Sequence, residues 1–241
     1  MRVKIEFKAE KDQLKIPFNY NYILSSMIYK NISDSELSYK LHSSESFKFF
    51  TFSQLNIHEY KRDGNHLISQ NGVIDLIISS PDEHLLKNIL RGFLENLKVD
   101  FIGQKLLVKN IEVITQPEFS NNMEFKTLSP IITRVKKEIN GEIKIWDLTP
   151  GEKFFGQLEK NLIHKYLEFN QIKETNKKIT IYSEMKNVKQ RRISIKKNGI
   201  KTYHRGYFMD IILEGDPELL EFAYDCGLGE KNSMGFGCIN I

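Results

Sequence analysis

"DPELLEFAYDCGLGEKNSMGFGCINI", residues 216–241, decides how the rest of the chain is read. Gly227, Gly229, Gly235 and Gly237 form two Gly-x-Gly pairs around Glu230–Met234. In the nucleotide-binding folds a phosphate-gripping loop runs strand, glycines, helix, so that the helix N-terminus faces the anion. Here that order is reversed. Asp216 and Pro217 open a helix over 216–226, and "GFGCINI" (235–241) reads as a closing strand. Lys231 is followed by Asn232, where a nucleotide-hydrolysing loop has Ser or Thr. Nucleotide hydrolysis is excluded. Gly227 is accounted for as a helix-ending residue. The other glycines flank a basic, amide-rich tip, an arrangement that lets backbone N–H groups approach an extended anion.

A helix and a final strand also close a β-α-β-β-α-β unit, and the elements upstream supply the rest of it twice. In the first half, "RVKIEF" (2–7) alternates as a strand, and Pro17 opens a helix over 17–32. A short helix follows over 33–42, with Ser33 or Asp34 as its cap, and "FKFFTFSQL" (47–55) is β-rich. Residues 65–80 read as a hairpin turning at Asn71-Gly72. Residues 81–97 are an amphipathic helix and 104–114 a strand. The polar stretch "TQPEFSNNME" (115–124) separates the halves. Beyond it come a strand over 125–135 interrupted by Pro130, a helix over 151–169 and strands at 177–185 and 205–215. The expected fold is α+β: two tandem ferredoxin-like (RRM-like) domains, residues 1–117 and 118–241.

Composition narrows the function classes. Hydrophobic residues make up 40% of the 241, with 16 Phe and 10 Tyr, enough for packed cores and against disorder. No apolar run approaches the roughly 20 residues that span a bilayer. Cys226 and Cys238 are the only cysteines and form no Cys-x-x-Cys pair, so structural zinc is not expected and a reduced, cytosolic setting is. The net charge is only +4, but its distribution is uneven. Lys186, Lys189, Arg191, Arg192, Lys196, Lys197, Lys201 and Arg205 crowd a stretch without one acid. Such density favours a polyanion, because each neutralised phosphate releases counterions. A solvated, lysine-rich hairpin is the competing explanation.

Metal chemistry has little support. The six histidines, His42, His58, His66, His84, His164 and His204, form no pair or acidic cluster of metal-ligand spacing. No cofactor is expected. RNA offers a route that needs neither, because its own 2′-hydroxyl can attack the neighbouring phosphorus. The protein then supplies a proton acceptor, a proton donor and a cation. On the helix 17–32, Tyr20, Ile23, Leu24, Met27 and Ile28 share the core arc, and Tyr22 and Tyr29 fall on the opposite side. Two aromatics there are base platforms or catalytic groups, or they pack under the next segment. Trp146 reads as a packing anchor, the other histidines as structural.

"GLGEKNSMGFG" (227–237) resembles the C-terminal glycine-rich motif of the CRISPR-associated RAMP superfamily, and more narrowly that of the endoribonucleases that cut CRISPR repeat RNA. "RVKIEF", "NYNYILSSMIY", "KFFTFS" and "TLSPI" agree with it in order and spacing along the whole chain. The resemblance implies two ferredoxin-like domains and a glycine loop holding RNA, here through Gly227, Gly229, Lys231, Asn232, Ser233, Gly235 and Gly237. The basic residues Lys186, Lys189, Arg191, Arg192, Lys196 and Lys197 would track phosphates. It also implies a Tyr on the first helix, a His after it and a Lys before the next strand: Tyr29, His42 and Lys48. His42 would transfer a proton, Tyr29 assist the 2′-hydroxyl and Lys48 stabilise the phosphorane, with Tyr39 or Lys40 as possible substitutes. The expected activity is metal-independent cleavage of CRISPR precursor RNA, in the cytoplasm of a prokaryote, by a monomer or homodimer. A RAMP-type subunit that holds guide RNA in an interference complex without cutting is the alternative. An unrelated RRM-like binder ranks last, since "KFFTFS" lacks the Lys/Arg-Gly-Phe/Tyr-Gly pattern.

Overall fold

Period-two alternation builds the first strand, β1 (Arg2–Ala9): Val3, Ile5 and Phe7 are fully buried, while Lys4, Glu6 and Lys8 take the other face. After it come β2 (Leu14–Pro17), α1 (Asn21–Lys30), α2 (Ser35–Ser43), β3 (Thr51–Phe52), β4 (Asn56–Ile57) and β5 (Tyr60–Asp63). Then follow β6 (His66–Ser69), β7 (Val73–Ser79), α3 (Glu83–Glu95), β8 (Lys98–Phe101) and β9 (Gln104–Ile114). The second half holds β10 (Asn122–Thr127), β11 (Arg134–Ile139), β12 (Glu142–Asp147), α4 (Glu152–Asn170) and β13 (Ile179–Tyr182). It ends with β14 (Lys189–Lys197), β15 (Ile200–Phe208), β16 (Asp210–Gly215), α5 (Pro217–Cys226), a 3-10 turn (Asn232–Met234) and β17 (Ile239–Asn240). This computed structural model describes residues 1–43, 47–139, 141–197 and 199–241; the side chains of His42, Ser43, Ile139 and Lys197 lie outside the described residues.

Hydrogen bonding orders the first sheet β3-β7-β1-β9-β8, with β4 also on β7. Without the hairpin partner β8, the main strands run second-third-first-fourth along the sheet, with α1 and α3 as crossovers. That is the ferredoxin-like order. The second sheet, β13-β16-β10-β17, repeats it with α4 and α5. Each unit has its own apolar core. Leu85, Leu86, Ile89 and Phe93 of α3 pack with β1 in the first, and Phe154, Leu158 and Leu162 of α4 pack with Phe125, Ile211 and Leu213 in the second. The helix starts follow the capping rules: Asp82 accepts from Leu85 N (3.0 Å), Asp34 from Leu37 N (3.0 Å) and Asp216 from Glu218 N (3.1 Å). No described helix is long and apolar enough to cross a membrane.

Several local expectations are corrected. Pro17 does not open a helix; it ends β2 opposite His66, and α1 begins at Asn21. Residues 65–80 are not one hairpin. β6 pairs with β2 and β5, whereas β7 pairs with β1, β3 and β4. Asn71 and Gly72 redirect the chain between sheets, and Gly72 O accepts from Ala9 N (2.9 Å). Only Thr51–Phe52 of 47–55 and Ile239–Asn240 of 235–241 are strands. The basic segment is itself a hairpin, β14–β15, projecting from the second sheet beside the hairpin β11–β12.

The units are joined through Arg2, whose side chain is buried although it starts the first strand. Its guanidinium donates to Ile239 O (2.8 Å), Asn240 Oδ1 (3.0 Å) and Tyr224 O, and stacks on the Tyr224 ring. A planar, multiply donating cation suits such a site better than an ammonium would.

Candidate active site

The glycine-rich loop lies at the junction of the units. All four glycines are buried, and their missing side chains are used against protein. Gly229, at φ +67°, would place a Cβ 2.2 Å from Ile132 O; Gly237, at φ +75°, would place one 1.9 Å from Leu228 O. What the loop offers to solvent is its half-buried tip, Lys231–Met234. Four elements strap it. From α1, Ser25 Oγ donates to Ser233 O (2.7 Å) and Asn21 Nδ2 to Gly235 O (3.2 Å). From β3, Thr51 Oγ1 donates to Phe236 O (2.9 Å). From β11, the Arg134 guanidinium binds the Glu230 carboxylate, which also accepts from Arg134 N (2.9 Å).

The fourth strap is Lys165 of α4, only 1% exposed. Its ammonium donates to Gly227 O, Gly229 O (3.3 Å) and Asn232 Oδ1 (3.1 Å). Burial pushes its pKa down, with Cys226 and Glu230 acting in the other direction. Three oriented acceptors make the buried charge tolerable. Sequence reasoning missed this residue. The available signal was its place seven residues after Leu158 and three after Leu162, on the buried stripe of the helix.

Beneath the loop tip lies a cavity of about 180 Å³, lined by Phe47, Lys48, Phe49, Lys165, Cys226 and Gly229–Ser233. Of the three expected catalytic positions, one lines this cavity and a second bonds to a lining residue. Lys48 lines the cavity, its ammonium pKa pushed down by burial and drawn up by Glu168. Tyr29, near the end of α1, makes a side-chain hydrogen bond with Ser233 and packs edge-on against Phe50. Burial pushes the phenol pKa up, so at neutral pH Tyr29 is protonated and suited to donating a hydrogen bond. His42 belongs to the last turn of α2, and its side chain lies outside the described residues. Tyr39 and Lys40, on the same helix, are exposed.

Tyr29 is only 8% exposed and belongs to the first core, and Tyr22 is half-buried against Ile132, Ile193, Ile195 and Phe236. The expectation that both tyrosines lie on a non-core face is therefore corrected. The second unit covers that side of α1.

The basic hairpin sorts its residues by face. Arg192, Lys196, Lys201, Tyr203 and Arg205 are exposed on one face, and Arg192 lies 4.0 Å over the Tyr203 ring. Lys189 and Arg191 alternate onto the other, where Ile193, Ile195 and His204 are buried. Lys186 precedes the hairpin beside Glu184, and the Lys197 side chain is outside the described residues. Tyr203 was not anticipated, because the motif was read as charge alone. Cations around an exposed ring suit phosphate and base contact together.

His204 gives a pH prediction. It is 8% exposed, and burial, with Lys231 and Arg134 nearby, lowers its pKa from 6.5 to about 4, against the pull of Asp147. The folded pKa is depressed, so the stabilising effect is present above 6.5 and is lost as pH falls toward 4. That loss is expected to be about 2–3 kcal/mol. Urea unfolding at pH 7 and pH 4.5 should show a smaller drop for His204→Gln than for the unaltered chain. Equal drops would remove His204 as the cause.

Comparison with known proteins agrees with this architecture. A family model for "CRISPR-associated protein Cas6, N-terminal" matches residues 15–112, and one for "CRISPR associated protein Cas6, C-terminal" matches residues 114–241. The "CRISPR-associated endoribonuclease Cas6 1" of Methanocaldococcus jannaschii is 35% identical over 246 residues, covering 99% of this chain and 92% of that protein. A "Putative CRISPR-associated endoribonuclease-like protein Cas6" of Pyrococcus furiosus is 32% identical, covering 100% and 98%. Among solved structures, one described as a Cas6-related gene product from Pyrococcus furiosus superposes with a TM-score of 0.89 at 30% identity, covering 100% of this chain and 98% of that one. Another, "An RAMP protein binding different RNA substrates", gives 0.88 at 28% identity with the same coverage. From the matched length and the shared two-unit fold, the chain belongs to the Cas6 family of CRISPR-associated endoribonucleases.

Proposed function

We propose that this chain cleaves CRISPR precursor RNA within its repeat, without a metal ion, in the cytoplasm of a prokaryotic cell. The substrate's 2′-hydroxyl attacks the adjacent phosphorus, and the bond to the 5′-oxygen breaks. A 2′,3′-cyclic phosphate and a 5′-hydroxyl result. The observation that carries the reading is the convergence of Lys48 and the Tyr29–Ser233 hydrogen bond on one cavity, with Lys165 and Lys231 around it and Glu230 as the one lining carboxylate among the described residues. Cations there offset the charge that builds on the phosphorane. Lys48 performs that task, Tyr29 holds the 2′-hydroxyl in line, and His42 carries a proton between solvent and one of the two oxygens. The unit 1–117 brings these groups. The unit 118–241 brings the loop tip and the basic hairpin, which hold the strand.

A second reading, guide-RNA holding without cutting, is favoured by the description of the 28%-identical structure as an RNA-binding RAMP protein. One experiment separates the two. Repeat RNA is incubated with the protein in EDTA, beside the same RNA with a single 2′-deoxy substitution at the cut. Cleavage of the first and survival of the second are expected, with cyclic-phosphate ends by mass spectrometry. Survival of both in EDTA with cleavage in Mg²⁺ would replace the scheme with a metal-dependent one. Binding without cleavage under either condition would favour the second reading.

A further inference from the structure

Trp146 is the only tryptophan in the chain, and half of its surface is in water. That corrects its expected place as a packing anchor. The β11–β12 register states what surrounds it. Val135 pairs with Trp146, and Lys137 pairs with Lys144, two residues further along, so both exposed lysines share the face of the indole. Lys144 makes a 3.6 Å surface ion pair with Glu142, of a kind too weak and exposed to neutralise the site. The neighbouring ladder position fixes the hairpin in place. Asp147 Oδ2 accepts from Arg205 N (2.8 Å), which sets the end of β12 against the edge of β15.

An aromatic plane with two ammonium groups beside it on one face complements one chemistry: a single-stranded nucleotide, whose base stacks while its phosphates meet the ammonium groups. We propose that Trp146, with Lys137 and Lys144, forms a base-stacking subsite for repeat RNA outside the cleavage cavity. The subsite rests on the reading that the chain binds such RNA. It predicts that affinity and cleavage chemistry separate: the indole contributes to holding the strand, and the cavity to breaking it.

Because the chain has one tryptophan, its fluorescence reports on this position alone. The unaltered chain is titrated with repeat RNA carrying a 2′-deoxy substitution at the cut. Quenching of Trp146 that saturates together with binding measured by filter retention is expected. Trp146→Ala is expected to weaken that binding about tenfold or more, with the salt slope unchanged because no charge is removed. Lys144→Ala should lower the slope by about 0.7. Ile143→Ala, an exposed apolar change on the opposite face, should leave affinity within about twofold. Saturating cleavage by Trp146→Ala should match that of the unaltered chain. Fluorescence indifferent to bound RNA, or an alanine variant binding within about twofold, would overturn the subsite while leaving the cleavage reading intact. Failure of the unaltered chain to bind repeat RNA at all would remove both.

Discussion

Replacement of His42 by alanine is expected to slow single-turnover cleavage of repeat RNA by about 10²-fold or more, with binding within about threefold of the unaltered chain. The asymmetry follows from the division of labour at the site. The cations Lys48 and Lys231 remain and still attract phosphate, while the group whose unperturbed pKa lies nearest neutrality is gone. Tyr29 does not compensate, because burial holds its phenol protonated and in contact with Ser233. Rapid-quench kinetics at saturating protein isolates the chemical step. A variant that cuts at the original rate would remove the imidazole from the mechanism and turn attention to Tyr39 and Lys40, exposed on the same helix.

Gly237→Ala is expected to destabilise the protein by about 3 kcal/mol or more and to abolish cleavage with it. The added carbon would overlap Leu228 O at 1.9 Å and Asn232 Nδ2 at 2.7 Å, and the backbone would remain at φ +75°. Relief would have to come from a main-chain shift in a loop strapped by four elements. Gly103 is the control: its φ is +71°, yet nothing lies within 4 Å of a Cβ there, so Gly103→Ala should cost only about 1 kcal/mol. Urea midpoints for the two variants make the comparison. Equal costs would mean that the glycine motif serves conformation alone and that its tight packing is dispensable.

The order of elements was legible because alternation, caps and helix stops are local. Asp34 and Asp216 announce helix starts that the structure keeps. Pairing was less legible. Asn71-Gly72 has the chemistry of a hairpin turn, yet β6 and β7 belong to different sheets, since β1 competes for β7 over seven residue pairs. At the candidate site, Lys48 and Tyr29 were reached through a resemblance, but the surroundings of Tyr29 were misjudged. A helical projection knows only its own helix, and the residues that cover that side of α1 lie about two hundred positions later. Lys165 stands on the buried stripe of α4, yet the role of its ammonium was hidden for a related reason, since two of its three acceptors are main-chain carbonyls, which no residue type betrays. Trp146 shows the opposite failure. Composition favours burial of an indole, and only the register of β11 with β12 shows it standing among lysines.

Because α1 and β3 grip a loop made of residues 227–237, the cavity has no roof until that loop has left the ribosome. A nascent or prematurely terminated chain would carry the phenol and the ammonium but nothing to seat a phosphate against them. Chemistry of the proposed kind would therefore wait for residues 227–237 to be made and seated.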